Sequence, residues 1–125
     1  MTNHMTLISR YAAYVEVQRS MGGPSEYRDA LLTFLAAMDQ IHAPNDPLYN
    51  ERAYLADKTL TYTRLARVEQ SSGDSQKADE YLKEALSACA RAGWKDCTPE
   101  RLIEVTERLE QHGLFNAAEG RRGEP

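Results

Sequence analysis

Apolar residues along the chain recur at three- and four-residue spacings, interrupted by short stretches of glycine, proline and small polar residues, and this rhythm predicts about five helices. From about Thr6 to Met21, Leu7, Tyr11, Tyr14, Val15 and Gln18 share a helical spacing that ends at Gly22-Gly23. After Pro24, Ser25 is placed to accept an early backbone N–H, and Tyr27, Ala30, Leu31, Phe34, Leu35 and Met38 form a broad stripe running to about His42. In the APNDP stretch, Asp46 and Pro47 offer a cap and a first-position proline for a long third helix, about Leu48 to Ser71. Its apolar residues form two lines, Leu48, Leu55, Tyr62, Leu65 and Val68 beside Ala53, Ala56 and Leu60, which implies neighbours on more than one side. Gly73 can close that helix in the left-handed conformation, and Asp74 or Ser75 can cap a fourth that carries Ala78, Leu82, Ala85, Leu86 and Cys89 on one face as far as Gly93. Thr98-Pro99-Glu100 then opens a fifth helix to about Gln111, with a narrower stripe of Leu102, Val105 and Leu109 suited to covering the end of a stack.

Length and composition narrow this picture. A chain of 125 residues fits one domain, here 1–115, and the sequence NAAEGRRGEP gives residues 116–125 little to bury, so a disordered tail is expected there. Fifteen Lys and Arg interleaved with nineteen Asp and Glu leave a formal net charge of -4, which disfavours nucleic acid as a partner. No apolar run approaches the roughly 20 residues of a membrane span, and no cationic start followed by an apolar segment marks an export signal.

Alanines at Ala66, Ala78 and Ala85 on either side of Gly73 let two helices approach closely, as in a helical hairpin. The order Tyr62-x-x-Leu65-Ala66-x-x-Glu69, then Ala78, Leu82 and Ala85, resembles the tetratricopeptide repeat, with Ala66 where that family has glycine, Glu69 for its tyrosine, Leu82 for its phenylalanine and Ala90 for its proline. Tyr14, Val17, Gln18, Met21, Ala30, Phe34 and Ala37 repeat this relative spacing 48 residues upstream, against the family's period of about 34, the surplus falling in APNDP and the early third helix. The resemblance implies an all-α fold of antiparallel hairpins in a right-handed stack with a C-terminal capping helix. The competing arrangement is an irregular helical bundle.

Candidate chemistry is sparse. His4, His42 and His112 belong to no zinc or nucleophile motif, and Asp39-x-x-His42 lacks the further carboxylates and second pair that a di-metal bundle needs, so neither metal nor cofactor is expected. Gly22-Gly23-Pro24 lacks the ending of a phosphate loop. Cys89 and Cys97 can meet if the chain folds back at Gly93-Trp94, or can remain free thiols. Without an export signal the expected compartment is the cytoplasm, whereas a disulfide points to the periplasm or secretion of a trimmed chain.

With no catalytic constellation, the expected function is non-enzymatic: an interaction module receiving a peptide or helix of another protein in a concave groove. By the tetratricopeptide resemblance, the first helix of each hairpin lines that groove, with Ala12, Val15 and Arg19 from one copy and Leu60, Thr63 and Arg67 from the other. Arg19 and Arg67 would hold a carboxylate there, with Val15 and Leu60 supplying apolar contact. The alternatives are a self-associating bundle whose apolar third-helix surface closes a homodimer, and a small immunity-type inhibitor that occludes a toxin.

Overall fold

The computed structural model describes residues 4–41 and 49–112, and among these the protein is all-α. Its helices are α1 (His4–Met21), α2 (Pro24–Ile41), α3 (Glu51–Ser72), α4 (Ser75–Arg91) and α5 (Pro99–Gln111). Consecutive helices pair: α1 packs on α2, α2 on α3, and α3 lies along α4 in the most extensive contact, while α5 returns to cover part of α3. The proposed 116–125 tail, the Asp46-Pro47 cap and His42 lie outside the described residues.

Local chemistry accounts for the helix ends. Gly73 closes α3 at φ 91°, a conformation that costs a residue without Cβ nothing, and the Asp74 carboxylate caps α4 by accepting the Lys77 N–H at 3.0 Å. Thr98 caps α5 by accepting the Arg101 N–H at 3.2 Å, with Pro99 at the first helical position. Two expected starts shift. Helix α2 begins at Pro24, one residue ahead of Ser25, because the Gly23 carbonyl already accepts the Tyr27 N–H at 3.0 Å. Helix α3 begins at Glu51, and its cap is Asn50, whose side chain accepts from the Ala53 N–H at 3.1 Å. The turn between α1 and α2 is tight enough that a Cβ on Gly22 would lie 2.9 Å from the Gln18 carbonyl oxygen.

One core cluster joins Ile8, Ala12 and Val15 of α1 to Ala30, Leu31, Phe34 and Met38 of α2, with Tyr49 and Leu65 completing it. A second gathers Ala85, Cys89 and Leu102, and half-buried Tyr62 touches both. Ala66, Ala78 and Ala85 are all buried in the hairpin that turns at Gly73, as their size requires. The buried side of α1 keeps part of the expected stripe, with Val15 buried and Tyr11 packed at the core's edge, but Ile8 and Ala12 complete it while Tyr14 is 49% exposed. Apolar residues occur all round this helix, so its spacing could not select a face, and small Ala12 is what admits α2 closely.

Helix α3 is enclosed well beyond its apolar lines, for Asp57, Thr59, Thr61, Thr63, Arg64 and Glu69 are buried as well. Burial of a hydroxyl is tolerated when it is hydrogen-bonded. Thr59 and Thr63 each donate to the carbonyl four residues back, Leu55 and Thr59 respectively, at 2.8 Å, and Thr106 does the same to Leu102 in α5. Of its apolar residues, Leu55, Ala56, Leu60, Leu65 and Ala66 are buried, while Ala53, Tyr54, Tyr62 and Val68 are half-buried.

Candidate functional site: an arginine-lined cleft

A cleft of about 620 Å³ opens where the end of α1, the start of α2, the last turns of α3 and the end of α5 converge. Helical spacing builds one wall, because Arg64, Arg67, Val68 and Ser71 stand at i, i+3, i+4 and i+7 on a single face of α3. Arg19 enters from α1, and the Gly22-Gly23-Pro24 turn brings Tyr27 of α2 alongside it. Ser72 completes the α3 wall, and Glu110 reaches in from the last turn of α5.

The charges in this cleft are unequal. Arg19 grips Glu16 of its own helix with two guanidinium nitrogens, Nε lying 2.7 Å from Oε2, and that bond raises the arginine pKa further. Glu110 is shared: Arg64 Nε lies 3.4 Å from one carboxylate oxygen and Arg67 Nη1 3.4 Å from the other. These separations exceed the roughly 2.7–2.9 Å of a tight charge-assisted bond. Among the described residues, three arginines and one carboxylate, Glu110, line the cleft, in a chain whose formal net charge is -4. Behind the Ser72 wall, Glu69 accepts from Arg28 at 3.0 Å and from the Ser72 hydroxyl at 3.2 Å. Burial pushes Tyr27 up to about 12, with the nearby Arg64 opposing, so its hydroxyl stays a neutral donor at physiological pH.

The structure divides the residues expected to line a groove. Arg19 and Arg67, equivalent by the 48-residue offset, do meet in this cleft. Val15, Leu60 and Thr63 do not: each is 1–2% exposed, Val15 in the core cluster with Phe34 and Met38, Leu60 and Thr63 inside the enclosed α3. Ala12 is buried as well. The positions expected to line an open groove are instead covered by packing against neighbouring helices. Arg64 and Glu110 went unrecognised. Their signals were present, since Arg64 stands three residues before Arg67, and Glu110 is a carboxylate at the negative end of α5, an unfavourable place unless a cation meets it.

Cys89 and Cys97 are joined in a disulfide, with Cα atoms 5.9 Å apart, fastening the start of α5 to the end of α4. Among the described residues, no group of three or more His, Cys, Asp or Glu is placed to share a metal ion, and no helix is long and apolar enough to cross a membrane. No family model, no curated protein and no solved structure matches the chain.

Proposed function

We propose that this protein is a non-enzymatic interaction module of tetratricopeptide-like build whose arginine cleft receives an acidic segment of a partner protein. The convergence of Arg19, Arg64 and Arg67 on one cleft, with Glu110 as the one carboxylate among its described lining residues, is the observation that carries the reading. The packing order supports the stack: α2 contacts α3 between two hairpins, and α5 contacts α3 as a capping helix would. Repeat-equivalent positions support it too, since Ala30 and Ala78, and Ala37 and Ala85, are buried in both copies. An adaptor and a toxin-occluding inhibitor would use such a cleft in the same way.

The test compares the protein with its Arg19→Ala/Arg67→Ala variant as bait in the native host, partners being quantified by mass spectrometry. An acidic partner should be captured by the unaltered protein and bound roughly tenfold more weakly by the variant, the equivalent of about 1.4 kcal/mol. The difference should shrink at high salt, because exposed charge contacts are screened, while the melting temperature stays nearly constant. Equal capture by both baits would reject the cleft.

A second reading, self-association, is favoured by one observation: Tyr14, Val17 and Met21 form an exposed apolar stripe on α1. At the equivalent α3 positions, Leu65 is buried in the core with α2, and Glu69 receives α2's Arg28. Sedimentation equilibrium should then report a concentration-dependent dimer, and Val17→Asp should return it to monomer. A monomer at every concentration would remove this reading.

A further inference from the structure

We propose that the group recognised in the cleft is a side-chain carboxylate, and that Glu110 holds its place in the free protein. This rests on the cleft reading above and names the chemistry that site selects. Glu110 is itself a demonstration of what the wall accepts, a carboxylate presented from a helix to Arg64 and Arg67 together. Its hold is loose, with both nitrogens at 3.4 Å, so little is lost when an incoming carboxylate takes either guanidinium. Its position at the C-terminal end of α5 adds a helix-dipole penalty that the arginines offset and that disappears if it swings out. The disulfide fastens the opposite end of α5, roughly 20 Å away along the helix, leaving Glu110 on the end that carries no covalent tie to α4.

Space and donors fit the same ligand. With Glu110 in the wall, the cleft still has about 620 Å³, room for a peptide side chain and its neighbours rather than a single atom group. Arg19, Tyr27 and Ser71 line it with Arg64 and Arg67, while Val68 gives an apolar strip for the methylenes of a glutamate. A carboxylate that enters joins a described wall on which arginines outnumber carboxylates three to one.

The probe is a hexaglutamate peptide blocked at both ends, with blocked hexaglutamine as its uncharged counterpart, titrated at low salt by calorimetry or fluorescence anisotropy. Hexaglutamate should bind and hexaglutamine should not. Glu110→Gln should bind hexaglutamate about three- to tenfold more tightly, and Glu110→Asp, which retracts the charge by one methylene, should fall between. In the unaltered protein, the side-chain carboxyl 13C resonance of Glu110 should move on titration, a readout that needs no variant. If Glu110→Gln binds the probe no better than the unaltered protein while Arg19→Ala/Arg67→Ala still weakens it, the role of Glu110 is overturned and the cleft reading survives. If Arg19→Ala/Arg67→Ala binds as well as the unaltered protein, the cleft reading falls and takes this proposal with it. Failure of hexaglutamate to bind either the unaltered protein or Glu110→Gln overturns the proposal outright.

Discussion

Phe34→Ala is expected to lower stability by about 3–5 kcal/mol, the usual cost of deleting a fully buried aromatic ring and leaving a cavity behind. Phe34 is 1% exposed and belongs to the cluster in which α1, α2 and Leu65 of α3 meet, so its ring joins the first hairpin to the rest of the fold. A domain of this size has only about 5–15 kcal/mol of stability in total, so the variant should lose a large fraction of it. Urea melts should show a midpoint far below that of the unaltered protein with the slope retained. A loss under about 1 kcal/mol would mean that the hairpin of α1 and α2 is not docked on α3 as described.

Leu82, the counterpart of Phe34 in the other copy, is only half-buried, and this inequality explains how far the sequence could be read. Helices were legible because their ends are written in local chemistry: Gly73, Asp74, Thr98 and Pro99 act through their own backbone neighbours. The buried face of α1 was not, because Tyr14, Val17 and Met21 are as apolar as Ile8, Ala12 and Val15, and only the position of α2 distinguishes them. The same limit applies to α3. Its threonines and Asp57 look like surface residues in a hydropathy pattern, yet Thr59 and Thr63 satisfy their hydroxyls on their own helix and so can be enclosed.

Half of the candidate site was legible for a related reason. Arg19 and Arg67 reach the cleft with their long side chains while Ala12, Val15, Leu60 and Thr63 are covered, so the repeat spacing that paired all six residues holds as a surface only for the arginines. Glu110 belongs to neither copy, and its arrival depends on the path of the chain through residues 92–98, which no helical period encodes. The one sequence trace of that path was the pair of cysteines.

Replacing Cys97 by serine should therefore cost about 2–3 kcal/mol under oxidising conditions, the chain-entropy value for so short a closed loop, with cysteines eight residues apart. Under reductant the cost should nearly vanish, because the unaltered protein then loses the same constraint. Cys89 stays buried in either state and packs as a small apolar side chain beside Ala85 and Leu102, so most of the loss belongs to the crosslink rather than to packing. Paired denaturant melts with and without reductant measure it, and thiol alkylation after unfolding in the absence of reductant reports whether the bond had formed. Equal midpoints for the two proteins under oxidising conditions, together with two alkylated cysteines in the unaltered one, would mean that α5 is held to α4 by packing alone. Because the bond anchors the start of α5, and Glu110 at the far end moves with the helix, Cys97→Ser should also give Glu110 more freedom to leave the arginines. Its hexaglutamate affinity should then shift toward that of Glu110→Gln, again only when the unaltered protein is oxidised.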